Sequence, residues 1–233
     1  MTDTPAPMEF NDRLGQSDPQ GPPGDLDYQE GLPIRNLQQL MVFFESVRGR
    51  LEKIVRFRLD PAFQARIEPA DVLQEAYLTI AKRHQELVES PDIHPMVWLR
   101  QRVLQTLWDM QRSHGRDKRG VHREQQMPLA GSNTTSITMA RWLVDDITSP
   151  SQRLMKDEEQ DRLQAALESM NPIDREILAM RHFEYLNNLQ TAQALGISPT
   201  AASNRYVRAA VRLAEIMQRN EQGSGTIPSG ESD

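Results

Sequence analysis

The stretch that decides the fold is "LGISPTAASNRYVRAA", residues 195–210. A glycine and a Ser-Pro pair come before a run of small residues, and arginines follow. Serine is favoured at a helix N-cap and proline at the first helical position, so a helix is predicted to begin at Pro199. The stretch predicts a tight turn at Gly196, a helix over residues 199–217 after it, and a short helix over residues 188–195 before it.

The predicted helix over residues 199–217 has an apolar face and a polar stripe. The apolar positions recur at three-four spacing and are Ala202, Tyr206, Ala209, Leu213 and Ile216. The stripe lies about a quarter-turn away and consists of Ala201, Arg205, Arg208 and Arg212, with Thr200, Ser203 and Asn204 beside it. With the preceding helix and turn, this pattern predicts a helix-turn-helix.

Such a stripe is suited to the major groove of DNA. Arginine reaches phosphates or guanine edges, and asparagine can pair with adenine. Small residues near the helix start let the backbone approach the duplex. A surface helix with solvated arginines would have a similar composition, but the cap, the turn and the buried face favour DNA binding.

The same start signal marks a C-terminal helical domain, predicted over residues 150–219. An N-cap residue precedes proline at Ser149-Pro150, Asn171-Pro172 and Ser198-Pro199. The first two pairs predict helices over residues 150–169 and 172–184.

Residues 34–117 predict an N-terminal helical domain. Apolar residues at helical spacing indicate one helix over residues 36–59, a second beginning at Pro69, and a third over residues 96–113. Three helices with short connections form a bundle that buries one core. The predicted fold is therefore all-α, with two small helical domains joined by a flexible linker.

The remaining segments are polar. Residues 1–33 and 220–233 lack an apolar period and are predicted to be disordered tails. Residues 118–149 are predicted to be a linker with a short helical piece around residues 139–143. Regulation is expected in the tails or in the hydroxyl-rich part of the linker, where phosphate would add charge, at Ser132, Thr134, Thr135, Ser136 and Thr138.

Charge and composition narrow the function classes. The net charge of −6 is that of residues 1–30 alone, which hold seven acidic residues against one basic residue. The rest of the chain is balanced and can carry basic faces. The absence of cysteine, of a membrane-length apolar run and of a signal peptide predicts a cytoplasmic protein without contact with membranes. The five scattered histidines show no metal or catalytic spacing, so no enzyme, metal site or cofactor is expected.

Three segments carry motifs that occur in this order in one protein family. "PADVLQEAYLTIAKR" at residues 69–83 contains the pattern Asp-x-x-Gln-Glu and resembles the second conserved region of bacterial sigma factors of the extracytoplasmic-function (ECF) type. "WLRQRVLQTLWDMQR" at residues 98–112 resembles the promoter-melting helix. Residues 171–213 resemble the fourth region, although Gln190-Thr191-Ala192 and Ala201-Ala202 depart from its usual residues, as in a divergent subgroup.

The resemblance implies a sigma factor with core RNA polymerase and promoter DNA as partners. The second region would bind a coiled coil of the polymerase largest subunit through Asp71, Gln74, Glu75 and Leu78. A polymerase flap contact is implied as well. An anti-sigma protein or a kinase-linked regulator is an expected further partner.

The two DNA sites are implied in the same way. The third helix and the loop around residues 92–94 would open the minus-ten element. Opened DNA needs stacking surfaces and cations. The residues implied for this site are His94, Trp98, Arg102, Trp108, Arg112 and Arg116, with Arg100, Lys118 and Arg119 as further cations. Core packing is an equal explanation for each tryptophan. The stripe of the last helix would read the minus-thirty-five duplex.

Two other interpretations of the sequence are alternatives to a sigma factor. An ordinary helix-turn-helix regulator would explain residues 150–218, but not the Asp-x-x-Gln-Glu helix followed by a tryptophan-containing basic helix. A helical adaptor protein would bind no DNA at any salt concentration.

Overall fold

The computed structural model describes residues 34–116, 135–141 and 153–223, and every regular element within them is helical. The all-α prediction is therefore confirmed. In chain order the helices are α1 (Leu37–Ser46), α2 (Arg48–Arg58), α3 (Pro69–Val88), α4 (Pro95–Arg116), α5 (135–141), α6 (Arg153–Ser169), α7 (Pro172–His182), α8 (Asn188–Leu195) and α9 (Pro199–Gly223), with a 3₁₀ turn at Pro61–Phe63. None of the described helices is both long enough and apolar enough to cross a membrane.

The prediction of one helix over residues 36–59 is wrong, because the chain bends at Val47 between α1 and α2. Val47 has φ −104° and ψ 6°, outside the helical range. The Ser46 hydroxyl donates a hydrogen bond of 2.7 Å to the Phe43 carbonyl oxygen, a local bond that competes with regular helix. Both helices face the same core, so the apolar spacing continues across the bend.

Helices α1 to α4 form the N-terminal helical group. Helix α3 begins at Pro69 as predicted, and α4 begins at Pro95. Their shared core includes Leu40, Phe44, Leu51, Ile54, Leu73, Ile80, Leu99 and Leu107, all at most 1% exposed.

Helices α6 to α9 form the C-terminal helical group. Two of the three predicted starts are confirmed: Asn171 accepts from the Ile173 N–H at 3.0 Å, and Ser198 accepts from the Ala201 N–H at 3.2 Å. The third, Ser149-Pro150, lies outside the described residues. Gly196 ends α8 with φ +65°, a conformation that glycine adopts without strain.

Helix α5 overlaps the piece predicted around residues 139–143 at residues 139–141, and it is packed into the protein. Met139 and Ala140 join the apolar cluster of the C-terminal group. Thr135, Ser136 and Thr138 are 4%, 0% and 8% exposed. These three hydroxyl residues of the segment in which regulation is expected are therefore buried, because the packing of Met139 carries them inward. Ser132, Thr134 and both tails lie outside the described residues.

The two helical groups are packed against each other. The rings of Phe57 in α2 and Phe183 after α7 are stacked with centroids 4.8 Å apart. Met180 and Leu186 of the C-terminal group are part of the N-terminal apolar cluster. This contact brings α8 onto the loop before α4.

Candidate DNA and polymerase interfaces

The helix-turn-helix predicted from residues 188–217 is present. Asn187 caps α8 by accepting from the Gln190 N–H at 2.9 Å. In α9, Ala202 and Ala209 are fully buried and Leu213 is 2% exposed. Because these residues fix the rotation of α9, its opposite face is held toward solvent.

Six of the seven predicted minus-thirty-five residues lie on that exposed face of α9. They are Thr200, Ala201, Ser203, Asn204, Arg208 and Arg212. The seventh, Arg205, is half-buried and donates a 2.8 Å hydrogen bond to Asp174 at the start of α7. Since its guanidinium already has a carboxylate partner, Arg205 joins α9 to α7 in this structure.

Sequence reasoning missed two valines on the same face. Val207 and Val211 are 55% and 51% exposed. With Arg205, Arg208 and Arg212 they line a shallow groove of about 430 Å³. The thymine methyl is the apolar group in the major groove. The valines belong neither to the predicted apolar face nor to the predicted polar stripe, although their position opposite Ala202 could have identified them.

The neutral pair behind α9 is His182 and Tyr206. The Tyr206 hydroxyl lies 3.0 Å from His182 Nε2. Burial, together with the charge of neighbouring Arg181, lowers the pKa of His182 to about 4. The ring is therefore neutral near pH 7 and supports α9 as an uncharged hydrogen-bonding group.

The predicted minus-ten residues are divided between the core and the surface. Trp98 is 2% exposed, and the Arg102 guanidinium lies 5.4 Å from its ring centroid. Trp108 is half-buried against the N-terminal core. In this conformation the Trp98 ring is not open to a base, whereas part of Trp108 is.

Two arginines of α4 have local charge partners. Arg102 lies 3.6 Å from Glu86; burial lowers its pKa and Arg83 adds to this, while Glu86 opposes the shift. Arg112 is ion-paired with Asp109. The side chain of Arg116, and Lys118 and Arg119, lie outside the described residues.

The loop that contains His94 is in contact with α8. The His94 N–H donates to Gln193 Oε1 at 3.0 Å, and Gln193 Nε2 donates to the Asp92 carbonyl oxygen at 2.7 Å. Gln190 Nε2 lies 3.3 Å from His94 Nε2. The first helix of the helix-turn-helix therefore contacts the loop predicted to receive a base at Asp92 and His94, while Ile93 between them is 39% exposed.

The four predicted polymerase-binding residues are brought together. Asp71, Gln74, Glu75 and Leu78 occupy one exposed side of α3, and Leu78 is 51% exposed. They share a groove of about 510 Å³ with residues of α4, namely Thr106, Asp109, Met110 and Ser113. An apolar centre with carboxylates beside it is suited to a helix that carries apolar and basic residues.

A buried cluster of four charged residues joins the two helical groups. Arg58 donates two parallel hydrogen bonds of 2.7 Å to Glu176, and its Nε donates to Glu184 at 2.6 Å. Arg100 is also ion-paired with Glu184, and it lies 3.1 Å from Glu176. The exposed side-chain fractions are at most 8%. Arg100, predicted as part of a DNA track, is therefore engaged inside the protein.

Two groups of this cluster have pKa values that are shifted by their charged partners. Burial alone would raise the pKa of Glu184, but Arg100 and Arg58 outweigh burial and lower the pKa. Burial alone would lower the pKa of Arg58, but Glu176 and Glu184 outweigh it and raise the pKa. Arg58 and Glu184 are therefore ionised in this arrangement.

A third arginine, Arg50, approaches the same edge of the C-terminal group. It donates to the carbonyl oxygens of Glu184 at 3.1 Å and Tyr185 at 2.5 Å. Tyr185 has φ +54°, the left-handed conformation that is uncommon for residues with a side chain. The turn between α7 and α8 thus presents both a carboxylate and carbonyl oxygens to the arginines. Sequence reasoning had no signal for this contact, because Arg50 and Tyr185 are 135 positions apart.

Comparison with known proteins gives one family match. Residues 160–213 match the sequence model of the family described as "Sigma-70, region 4". This segment contains α8, the turn at Gly196 and the first 15 residues of α9. A search of curated protein sequences gives no match.

One solved structure is similar to this chain. It is described as "Structure of CnrH in complex with the cytosolic domain of CnrY", with 17% sequence identity and a TM-score of 0.43. The similarity covers 79% of this chain and 90% of that chain.

Proposed function

We propose that this protein, whose residues 160–213 match the family described as "Sigma-70, region 4", is a sigma factor of the extracytoplasmic-function type that binds core RNA polymerase, recognises promoter DNA and promotes strand opening. The observation that carries the proposal is the coincidence of the matched segment with a helix-turn-helix whose second helix exposes Asn204, Arg208 and Arg212. Sigma factors in general carry no catalytic activity of their own.

The minus-thirty-five element is bound by α9. Arg208 and Arg212 contact phosphates or guanine edges, and Asn204 contacts adenine. Thr200, Ala201 and Ser203 are small enough to let the first turns of α9 enter the major groove. Arg205 supports this surface through Asp174, which lies 2.8 Å away.

The minus-ten element is bound by α4 and the loop before it. Trp108 offers a partly exposed ring, and Arg112 offers a cation at the surface. Stacking of bases on aromatic rings and a cationic track are the means by which proteins hold single strands. His94 lies in the loop that would receive an unpaired base.

The groove between α3 and α4 is the proposed docking site for core polymerase. It offers Leu78 as an exposed apolar anchor, with Asp71 and Glu75 beside it. Gln74 adds a polar group to the same side. This groove favours a sigma factor over an ordinary helix-turn-helix regulator, because a regulator has no need of an acidic docking surface on a second helical group.

Regulation is proposed to come from a separate protein. The family resemblance implies an anti-sigma protein or a kinase-linked regulator. CnrH was solved with a protein partner, the cytosolic domain of CnrY.

The docking site can be tested with a matched pair of variants. Asp71→Ala with Glu75→Ala should weaken co-purification with core RNA polymerase by at least tenfold, since two carboxylates of the groove are lost. Glu45→Ala with Glu89→Ala removes the same charge from exposed positions outside the groove and should bind core as the unmodified chain does. Equal binding by both variants would contradict the assignment of the groove.

A further inference from the structure

Three arginines of the N-terminal group converge on the turn that joins α7 and α8. Arg58 and Arg100 contact the carboxylates of Glu176 and Glu184, and Arg50 contacts backbone carbonyls beside them. We propose that Arg50, Arg58 and Arg100 form a binding site for the phosphates of single-stranded promoter DNA, and that Glu176 and Glu184 occupy this site until the two helical groups separate. The proposal rests on the proposed function, because it takes promoter DNA as the ligand.

The chemistry of the contact is the first argument. Glu176 holds Arg58 through two parallel N–H···O bonds of 2.7 Å each. The guanidinium fork donates to carboxylate and phosphate oxygens in the same two-bonded geometry. A phosphate can therefore take the place of the Glu176 carboxylate without a change in the arginine.

The charge balance is the second argument. In the arrangement seen here, which we call the closed form, Arg58 and Arg100 are paired with two carboxylates, and the four charges sum to zero. When the groups separate, these two arginines and Arg50 stay together on the N-terminal group, while Glu176 and Glu184 leave with the C-terminal group. Three guanidinium groups then lie on one face without the carboxylates of Glu176 and Glu184. Such a concentration of positive charge attracts a polyanion.

The position of the site is the third argument. Arg100 lies in the second turn of α4, six residues after His94. The same closure that covers Arg100 also places Gln190 and Gln193 on the His94 loop. One separation therefore releases His94, in the loop proposed to receive a base, from α8 and uncovers the arginines proposed to hold its backbone.

The spacing of promoter elements requires this separation. The minus-ten and minus-thirty-five elements are about 25 base pairs apart, roughly 85 Å at 3.4 Å per base pair. Helix α9 begins four residues after the end of α8, which touches the His94 loop. Since the 25 residues of α9 span only about 38 Å at 1.5 Å per residue, the closed form cannot reach both elements on one duplex.

The ion pairs that hold the closed form can separate again. Buried ion pairs contribute little net stability, because the ions regain their hydration when the interface opens. Removal of one side of such a cluster is strongly unfavourable for the closed form, since the other side is left buried without a counter-charge. Substitution of either the two glutamates or the three arginines should therefore separate the helical groups.

The first variant is Glu176→Gln with Glu184→Gln, and the matched variant is Arg50→Met with Arg58→Met and Arg100→Met. Both should separate the helical groups, but only the first leaves the arginines in place. The full chain has no cysteine, so Val42→Cys and Gln218→Cys, both at exposed positions, allow two fluorophores to report the separation.

The second readout is binding of the full chain to a labelled single-stranded oligonucleotide of about 20 nucleotides, longer than one protein site of this kind needs. The glutamine variant should bind at least tenfold more tightly than the unmodified chain. The slope of log affinity against log salt should steepen by about 2, because each of three added phosphate contacts contributes roughly 0.7. The methionine variant should open without either change.

Three results would overturn the proposal: equal gains in DNA affinity for both variants, opening of the glutamine variant without a gain, or a glutamine variant that stays closed. If circular dichroism shows that the methionine variant does not fold, Arg50→Met in the glutamine variant replaces it. Arg50 is only half-buried, and its loss should reduce the salt slope by about 0.7; an unchanged slope would count against the site.

Binding of each preparation to core RNA polymerase separates this proposal from the proposed function. If the chain binds core but the glutamine variant gains no DNA affinity, only the arginine site is wrong. If the chain does not bind core at all, the proposed function is wrong.

Discussion

His182 shows how one buried side chain couples pH to the support of α9. Its folded pKa of about 4 lies below the ordinary value of 6.5. The unfolded chain therefore takes up a proton at a higher pH than the folded chain. The contribution of the neutral ring is complete above pH 6.5 and is lost as pH falls from 6.5 toward 4.

The pH dependence of unfolding is the corresponding prediction. Between pH 7 and pH 5 this group should lower the free energy of unfolding by about 2 kcal/mol. His182→Gln keeps a hydrogen-bonding partner for Tyr206 but does not titrate, so denaturant titrations of the variant should show a smaller loss over the same range. An identical pH dependence for both proteins would contradict the shift.

The arginines of α9 have different surroundings and should respond differently to substitution. Arg208→Ala removes an exposed guanidinium, so duplex promoter binding should weaken by about 1–3 kcal/mol while the thermal midpoint stays nearly constant. Arg205→Ala breaks the contact with Asp174 and should lower the thermal midpoint as well. Fluorescence anisotropy with a promoter duplex and thermal denaturation measure the two effects, and an equal stability loss for both variants would oppose this division.

Helix starts and tight turns could be predicted from the local sequence. The cap residues Asn171 and Ser198 and the turn at Gly196 were predictable, because each depends on neighbours within a few positions. The bend at Val47 was not, since the apolar spacing is continuous across α1 and α2. The position of α5 also depends on distant packing, because Met139 joins a core formed by other helices.

The turn at Gly196 gives a prediction at the scale of the element. An added Cβ would meet no atom within 4 Å, so the strain comes from the backbone alone. Gly196→Ala should destabilise the protein by about 1–2 kcal/mol, since residues with a side chain disfavour φ near +60°. Urea denaturation measures the loss, with Gly49→Ala in α2 as a control where space is also open. No difference between the two variants would show that the turn carries no strain.

For the whole molecule, the contact between the two helical groups could not be predicted from the sequence. Arg58 and Glu176 are 118 positions apart, and Arg100 and Glu184 are 84 positions apart. Each of these residues, read locally, is an ordinary charged residue on a polar helix face or loop. The exposed face of α9 was predictable because it lies on one helix with a regular period, and the four residues of α3 were implied by the family resemblance. The charged cluster exists only once the chain is folded.

A sigma factor directs core RNA polymerase to promoters. Run-off transcription on genomic fragments, with core enzyme in the presence and absence of the full chain, measures this activity. We expect discrete start sites that require both the chain and core, and their loss with Asp71→Ala and Glu75→Ala. Tight duplex binding by the chain alone, without new start sites and without core binding, would instead indicate an ordinary helix-turn-helix regulator.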